Sequence, residues 1–489
     1  MNLIEWFRPY WTPINFFYYA LISNILISLW DLYLHYRQHR IYKSQPKLPI
    51  DLAPYMDEES FNKARLYNLD KSNFGIIHEV FNIFMKMFLL WILFSSILWT
   101  VSTEITYKYF QYHNEIFSTI VFFILQSSIS TMIDLPFSLY SNFVIEERHG
   151  FNKYTLKFFI WDMVKKFLVF QPIVSLLVGG ATYIIIRFED QFFFYLWLFS
   201  TLTAFIFLII YPSLIAPLFD TYTPLEDSSL KTEIQRLAEK IKFPLKNIYV
   251  VDGSKRSNHS NAYFYGFFKS KQIVIYDTLF DENSIYRKKI ETEEEKEAAA
   301  AEKDISESLE GDEKERIIKE KTKAEEKPKK KSSGCSEKEI VAIICHELGH
   351  WYHSHVFKNL IVSLVNLFLI FKIASLFYND NVIYEAFGFF GVNKPKFIGL
   401  TIVIETIFLL YFEVFNFAMT IISRKFEFQA DGFAKRLNFR TELINALIKL
   451  NKDNLSFPVY DWLYSLLLHS HPPILDRIEA LRKIDEKTE

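Results

Sequence analysis

Seven apolar runs, each long enough to cross a bilayer as a helix, constrain this chain before any motif is read. They lie near residues 14–34, 76–102, 116–139, 166–187, 192–215, 356–378 and 396–422. About 30 Å of hydrocarbon takes ~20 helical residues at ~1.5 Å each. Inside lipid the backbone has no water to bond, so such runs must be helical. Composition agrees, since half of the 489 residues are apolar and 18 % are aromatic. The expected fold class is an α-helical polytopic membrane protein. A net charge of −2 gives no electrostatic case for nucleic-acid binding. Two cysteines, Cys335 and Cys345, cannot make a disulfide framework and read as reduced thiols. The N-terminus lacks the short apolar core and small-residue cleavage site of a signal peptide, so the first run is expected to stay in the mature protein.

Charge orients the spans. Arg37, Arg40, Lys43 and Lys47 follow the first run, which places the 35–75 loop in the cytosol and the N-terminus on the luminal side. An odd number of spans then puts the C-terminus in the cytosol. The basic segments 140–166, 216–355 and 423–489 fall on that same side, and the short loops near 103–115, 188–191 and 379–395 on the other. The expected organisation is spans 1–5 over 1–215, a cytosolic catalytic region over 216–355, spans 6 and 7 over 356–422, and a cytosolic helical region over 423–489. Glu79, Lys86, Gln126, Asp134, Glu405, Glu413 and Asn416 interrupt the apolar runs and are expected to face a wet interior.

Within the cytosolic region, residues 281–338 are rich in Glu and Lys and almost free of aromatics, which reads as a solvated insertion without a core. Before it, "NIYVVDG" (247–253) and "NAYFYGFFKSKQIVIYDTLF" (261–280) read as strands. The second breaks at Lys269-Ser270-Lys271 into a hairpin, so a small sheet is expected beside the next helix.

That helix carries "VAIICHELGH" (341–350). His346 and His350 are four apart, so on a helix both imidazoles leave one face and share one metal ion. Glu347 is turned about 100° from His346, the position of a general base that holds the attacking water without ligating zinc. A catalytic zinc needs a third protein ligand. In "SRKFEFQADGFAKR", just after the seventh run, Glu427 completes a His/His/Glu set, while Asp431, four residues on, reaches the outer nitrogen of a ligand histidine. His353, His355 and His469 receive no role.

Six segments, "ICHELGHW", "SRKFEFQAD", "KRSNHSNAYFYGFF", "APLFDTYTPL" (216–225), "EERHGFN" (146–152) and "SHPPILDRI" (470–478), together resemble the type I CAAX prenyl proteases, integral-membrane zinc metalloproteases of the endoplasmic reticulum. The resemblance runs from the first span to about residue 480. It implies seven helices around a large water-filled intramembrane chamber, with a zinc site under a cytosolic or nuclear α+β cap. It also implies one Zn2+ held by His346, His350 and Glu427, with Glu347 as base. Asn261 and His471 match positions beside the substrate carbonyl and Arg477 an arginine near the site, Ala262 and Tyr263 continue the substrate strand, and Asn261, Ala262, Tyr263 and Arg477 are read as substrate-binding. The implied location is the endoplasmic reticulum or inner nuclear membrane, and the implied partner a farnesylated or otherwise prenylated CAAX protein. The long charged insertion departs from the family pattern.

On this reading the peptide lies along the "NAYFYG" edge, Glu347 moves the proton, and His471 stabilises the oxyanion. A lipid-modified substrate would explain why a hydrolytic motif borders a membrane span. Two other readings compete: a membrane quality-control metalloprotease of the heat-shock type, and a polytopic transporter motivated by the polar groups within the spans. Seven spans and the "NAYFYG" context argue against the first, and a Glu427-dependent stoichiometric zinc would argue against the second.

Overall fold

In the computed structural model, residues 8–111, 114–267, 270–288, 292, 333–391 and 394–483 are described. Helix α1 (Pro13–Ser44) starts at Thr12, whose side chain accepts from the Asn15 N–H, with Pro13 at the first helical position. Asp57 caps α2 (Glu58–Trp91), which ends where Leu93 turns left-handed (φ 56°) before α3 (Phe94–Phe110). The second apolar run is therefore two helices, not one. Ser96 Oγ helps fix the break by donating to the Gly388 carbonyl at 2.7 Å. Asn114 caps α4 (Glu115–Tyr140), which widens into a π turn over Ser141–Glu146. Thr155 caps α5 (Leu156–Phe188), and a short turn leads to α6 (Phe192–Ile210).

The cap follows, with β1 (Tyr222–Pro224), α7 (Ser229–Lys240), β2 (Leu245–Val251), β3 (Ala262–Phe267), β4 (Ser270–Tyr276) and α8 (Glu337–Tyr352). The chain re-enters the spans through α9 (His355–Ala374), α10 (Asn381–Ala386), α11 (Lys396–Ile407) and α12 (Leu409–Arg436), and closes with α13 (Arg440–Asp453), α14 (Trp462–Leu468) and α15 (Ile474–Arg482). The seventh run also proves to be two helices, α11 and α12, meeting at 65°.

Among the described residues, five helical stretches qualify as spans by length and apolarity, and six when the bent pair is taken as one. The longest, Leu156–Leu218, folds back on itself. Gly180 lies so close to Phe199 that an added Cβ would sit 3.0 Å from the ring, and Phe188 stacks on Tyr195 across the turn. This stretch thus supplies two antiparallel arms, and each of the seven apolar runs lies on helix. At most 28 % of the most apolar window of any of the five is buried inside the protein. Among them is a cavity of ≈ 540 Å³ whose walls include Asn24, Lys86, Gln126 and Glu405. Three of the polar groups singled out in the sequence thus share one wet space. The loop 379–395 is less simple than expected: it contains α10, buries Tyr384 and Phe389, and ties to the N-terminal end through Trp11 Nε1 donating to Asp380 at 2.7 Å.

The sheet has the order β1-β2-β4-β3, with β2 parallel to β4 and the other pairs antiparallel. The expected hairpin is β3–β4, which leaves β3 at an edge. β1 was not expected, because three residues ending in Pro224 carry too short a pattern to read. Ser336 and Glu339 form a capping box at the start of α8. Ile340, Val341, Ala342, Ile344, Cys345 and Leu348 are buried among the sheet, α7 and α13. Burial pushes the thiols of Cys335 and Cys345 up to about 12, so both are unreactive.

The charged insertion is narrower than 281–338. Tyr286 stacks on Phe280 and its hydroxyl accepts from the Glu226 N–H at 2.8 Å. At the other end the Asp453 carboxylate accepts from the Ser333 and Gly334 N–H groups, and the Cys335 N–H donates to Leu279 O at 2.8 Å. Residues 289–291 and 293–332 of the expected insertion lie outside the described residues. Replacing 293–330 with a short Gly/Ser linker is expected to leave the melting temperature and zinc content unchanged. Asp453→Ala is expected to cost about 1–3 kcal/mol in thermal or denaturant unfolding, because it strands the buried Gly334 N–H.

Candidate metal centre and active site

The site is built where α8 crosses α12. Gly349 permits the crossing, because a Cβ there would lie 3.0 Å from Ala430 Cα and 3.1 Å from its carbonyl oxygen. At that separation one turn of α12 faces the two histidines of α8. His346 Nε2 and His350 Nε2 are 3.2 Å apart. Glu427 Oε1 lies 3.4 Å from His350 Nε2, and Glu427 Oε2 lies 3.6 Å from His346 Nε2. These three residues form a group whose donor atoms all fall within 4.8 Å of one another.

Zinc fits this set. Tetrahedral zinc with bonds near 2.0–2.1 Å holds its ligand atoms roughly 3.3 Å apart, close to the three separations above. His346 Nδ1 is 2.9 Å from Asp431 Oδ1, so the ring donates there and turns its Nε2 lone pair toward His350 and Glu427. Glu427 Oε2 is buried without a well-aligned hydrogen bond, although His471 Nδ1 stands 3.0 Å away. Two lone pairs and a carboxylate oxygen converging in a buried space call for a cation.

Electrostatics reinforce the arrangement. Burial alone would raise the Glu427 carboxyl, but the imidazoles of His350 and His471 beside it, with His346 and the charge of Arg477, hold it far below the usual carboxylate range. Asp431 is likewise kept ionised against its burial, by Arg477, which donates through Nε and one terminal nitrogen at 2.8 and 2.7 Å. Burial pushes the Glu347 carboxyl up, with His346 and His350 opposing. The hydrogen bond to Glu427 holds His471 above the ordinary histidine range.

Glu347 lines a cavity of ≈ 120 Å³ together with Asn261, Ala262, His346, His471 and Arg477. Residues spread from 261 to 477 in sequence thus converge as the spacing and the resemblance predicted. Two placements differ. Tyr263 points away from the cavity, its hydroxyl 3.3 Å from that of Tyr222, because alternate side chains of a strand leave opposite faces. Arg477, assigned to the substrate from sequence, is buried behind the ligands, where it clamps Asp431 and approaches Glu427 at 3.4 Å.

Comparison with known proteins bears on the same residues. Residues 38–221 match the family described as CAAX prenyl protease N-terminal, five membrane helices, and residues 224–485 match peptidase family M48. The chain belongs to peptidase family M48. This M48 peptidase is 44 % identical over 470 residues to the human protein called CAAX prenyl protease 1 homolog, covering 96 % of this chain and 95 % of that one. It is 34 % identical to CAAX prenyl protease 1 of Saccharomyces cerevisiae, covering 96 % of each. A crystal structure of S. mikatae Ste24p superposes with a TM-score of 0.81 at 31 % identity, covering 96 % of this chain and 99 % of that one.

Sequence reasoning missed two features of the peptidase. Asn454 accepts from the Ser260 N–H at 3.1 Å, fixing the residue before Asn261. His355, given no role, is fully enclosed and lies 3.0 Å from His350 Nδ1. A spacing of five does not put two residues on one helix face. Only the reversal of the chain at Ser354 (φ 55°) brings His355 back, and no sequence pattern announces that turn.

His346→Ala, His350→Ala and Glu427→Ala are each expected to abolish stoichiometric zinc in the purified protein. Asp431→Ala is expected to weaken zinc by roughly 10–100-fold in a chelator competition. Gly349→Leu is expected to lose zinc too, since it forces α8 from α12.

Proposed function

We propose that this M48 peptidase is a zinc-dependent endopeptidase that removes the last three residues from prenylated CAAX proteins at a membrane. The observation that carries the reading is the cavity in which Glu347, the His/His/Glu set and the start of edge strand β3 meet, on a chain whose spans hold a polar space. An extended peptide would add to β3 as a further strand, its backbone hydrogen bonds setting which bond reaches the site.

Zinc, when bound, supplies Lewis-acid polarisation of the scissile carbonyl and of the attacking water. Glu347, with a carboxyl raised by burial, takes the proton of that water as the new C–O bond forms and gives it to the leaving amine as the C–N bond breaks. His471 keeps Nδ1 on Glu427 and leaves Nε2 to face the carbonyl oxygen as it gains charge. Asn261 and Ala262 hold the peptide, and Arg477 keeps Asp431 and Glu427 in place.

The positive-inside pattern supports a cytosolic zinc site with a luminal N-terminus, and the likeness to CAAX prenyl proteases along the whole chain supports the endoplasmic reticulum membrane as its location. A lipid on the substrate cysteine would keep apolar surroundings while the peptide beyond it reaches Glu347.

Glu347→Gln is expected to retain zinc and lose nearly all turnover of a farnesylated CAAX peptide, read by release of the three C-terminal residues. With the unaltered protein, removing the farnesyl group is expected to raise KM and lower kcat, because binding energy remote from the scissile bond also positions it. Equal turnover of both peptides would point instead to a quality-control protease that selects exposed chain.

A further inference from the structure

The two zinc-facing histidines have different supports behind them. His346 leans on a carboxylate, Asp431, itself clamped by Arg477. His350 has no carboxylate at its outer nitrogen. Its Nδ1 lies 3.0 Å from His355 Nδ1, and His355 Nε2 lies 2.8 Å from Gln429 Oε1. In this second chain His355 is buried (2 % exposed) and its ring stacks on Phe426 with centroids 3.9 Å apart and planes 8° from parallel, while Gln429 is half-buried.

The order of protons along it follows from chemistry. An amide oxygen only accepts, so His355 Nε2 must carry the proton that Gln429 Oε1 receives. A neutral His355 then has a bare Nδ1, which accepts from His350 Nδ1–H. His350 is thereby left with its lone pair on Nε2, the atom that faces His346 Nε2 and Glu427. We infer that His355 and Gln429 are positioning residues that fix His350 in its metal-binding tautomer and ring orientation. The inference rests on the zinc reading above, and it adds a neutral, two-residue support that is separate from Asp431 and Arg477.

The backbone is shaped for this contact. Between α8 and α9, Ser354 sits in the left-handed region (φ 55°), a conformation that costs a non-glycine residue free energy and persists where surrounding contacts determine it. The reversal seats the first residue of α9 behind the last ligand of α8. Gln429 reaches the same point from α12, two residues after Glu427 and on a different side of that helix. One turn of α12 therefore presents Glu427 to the front of the histidine pair and Gln429 to the back of His350.

The test uses full-length protein in detergent, with zinc affinity measured by chelator competition and turnover as a second readout. His355→Phe keeps the stacking on Phe426 and removes the acceptor, and is expected to weaken zinc 10–100-fold. His355→Gln restores an acceptor and is expected to recover most of that loss, which a purely space-filling role would not produce. Gln429→Glu preserves the acceptor and is expected to bind zinc at least as tightly as the unaltered protein, while Gln429→Leu binds it more weakly. Unaltered affinity in a folded His355→Phe, or no recovery in His355→Gln, would overturn the inference. If His355→Phe fails to fold, equal affinity in the two Gln429 variants would overturn it and the expected difference between them would support it. Failure of the zinc reading itself would look different, because the unaltered protein would then hold no stoichiometric zinc.

Discussion

The active site depends on one contact between two helix backbones. At Gly349 the helix bearing both histidines comes so near Ala430 that no side chain fits between them. Ligands on separate helices meet a common point only if the helix axes are close, because Glu427 reaches a few ångströms from its backbone. A side chain at 349 would press on the Ala430 backbone and on Phe433 and push the two helices apart, loosening the meeting of Glu427 with the histidines. The burial of Ile340, Val341, Ile344 and Leu348 against the sheet, α7 and α13 keeps α8 from sliding along that contact.

From this crossing the rest follows outward. α12 continues from the cap into the bent arm that bounds the polar space between the spans, so the helix that supplies Glu427 and Asp431 also carries Glu413 and Asn416. The sheet packs on the other side of α8 and sets its edge strand against the cavity of Glu347. Chamber, metal centre and peptide edge are thus three faces of one packed unit, which is what a substrate half lipid and half peptide needs.

Buried charge in such a unit requires compensation. Glu427 and Asp431 are both enclosed and both ionised, held so by Arg477 and the surrounding imidazoles. The Asp431 support brings a negative charge to the outer nitrogen of His346, whereas the neutral His355–Gln429 support orients His350 without adding charge.

The sequence by itself determined the helical spans, the β3–β4 hairpin and the two local pairs that meet at the candidate metal centre, because each rests on short-range pattern. Apolar length marks a span, a spacing of four puts His346 with His350 and Glu427 with Asp431, and alternation marks a strand. It also named Glu347, Asn261 and His471 near the metal. Tertiary structure alone decided what depends on backbone reversal or on which face meets which. It broke the second run at Leu93 and bent the seventh at Phe408. It turned Tyr263 away from the cavity, drew Arg477 inward behind Asp431, and folded His355 behind His350 through the left-handed Ser354. Local spacing records neighbours along one helix or strand. It carries no record of a turn whose conformation is held in place by contacts from the far side of the molecule.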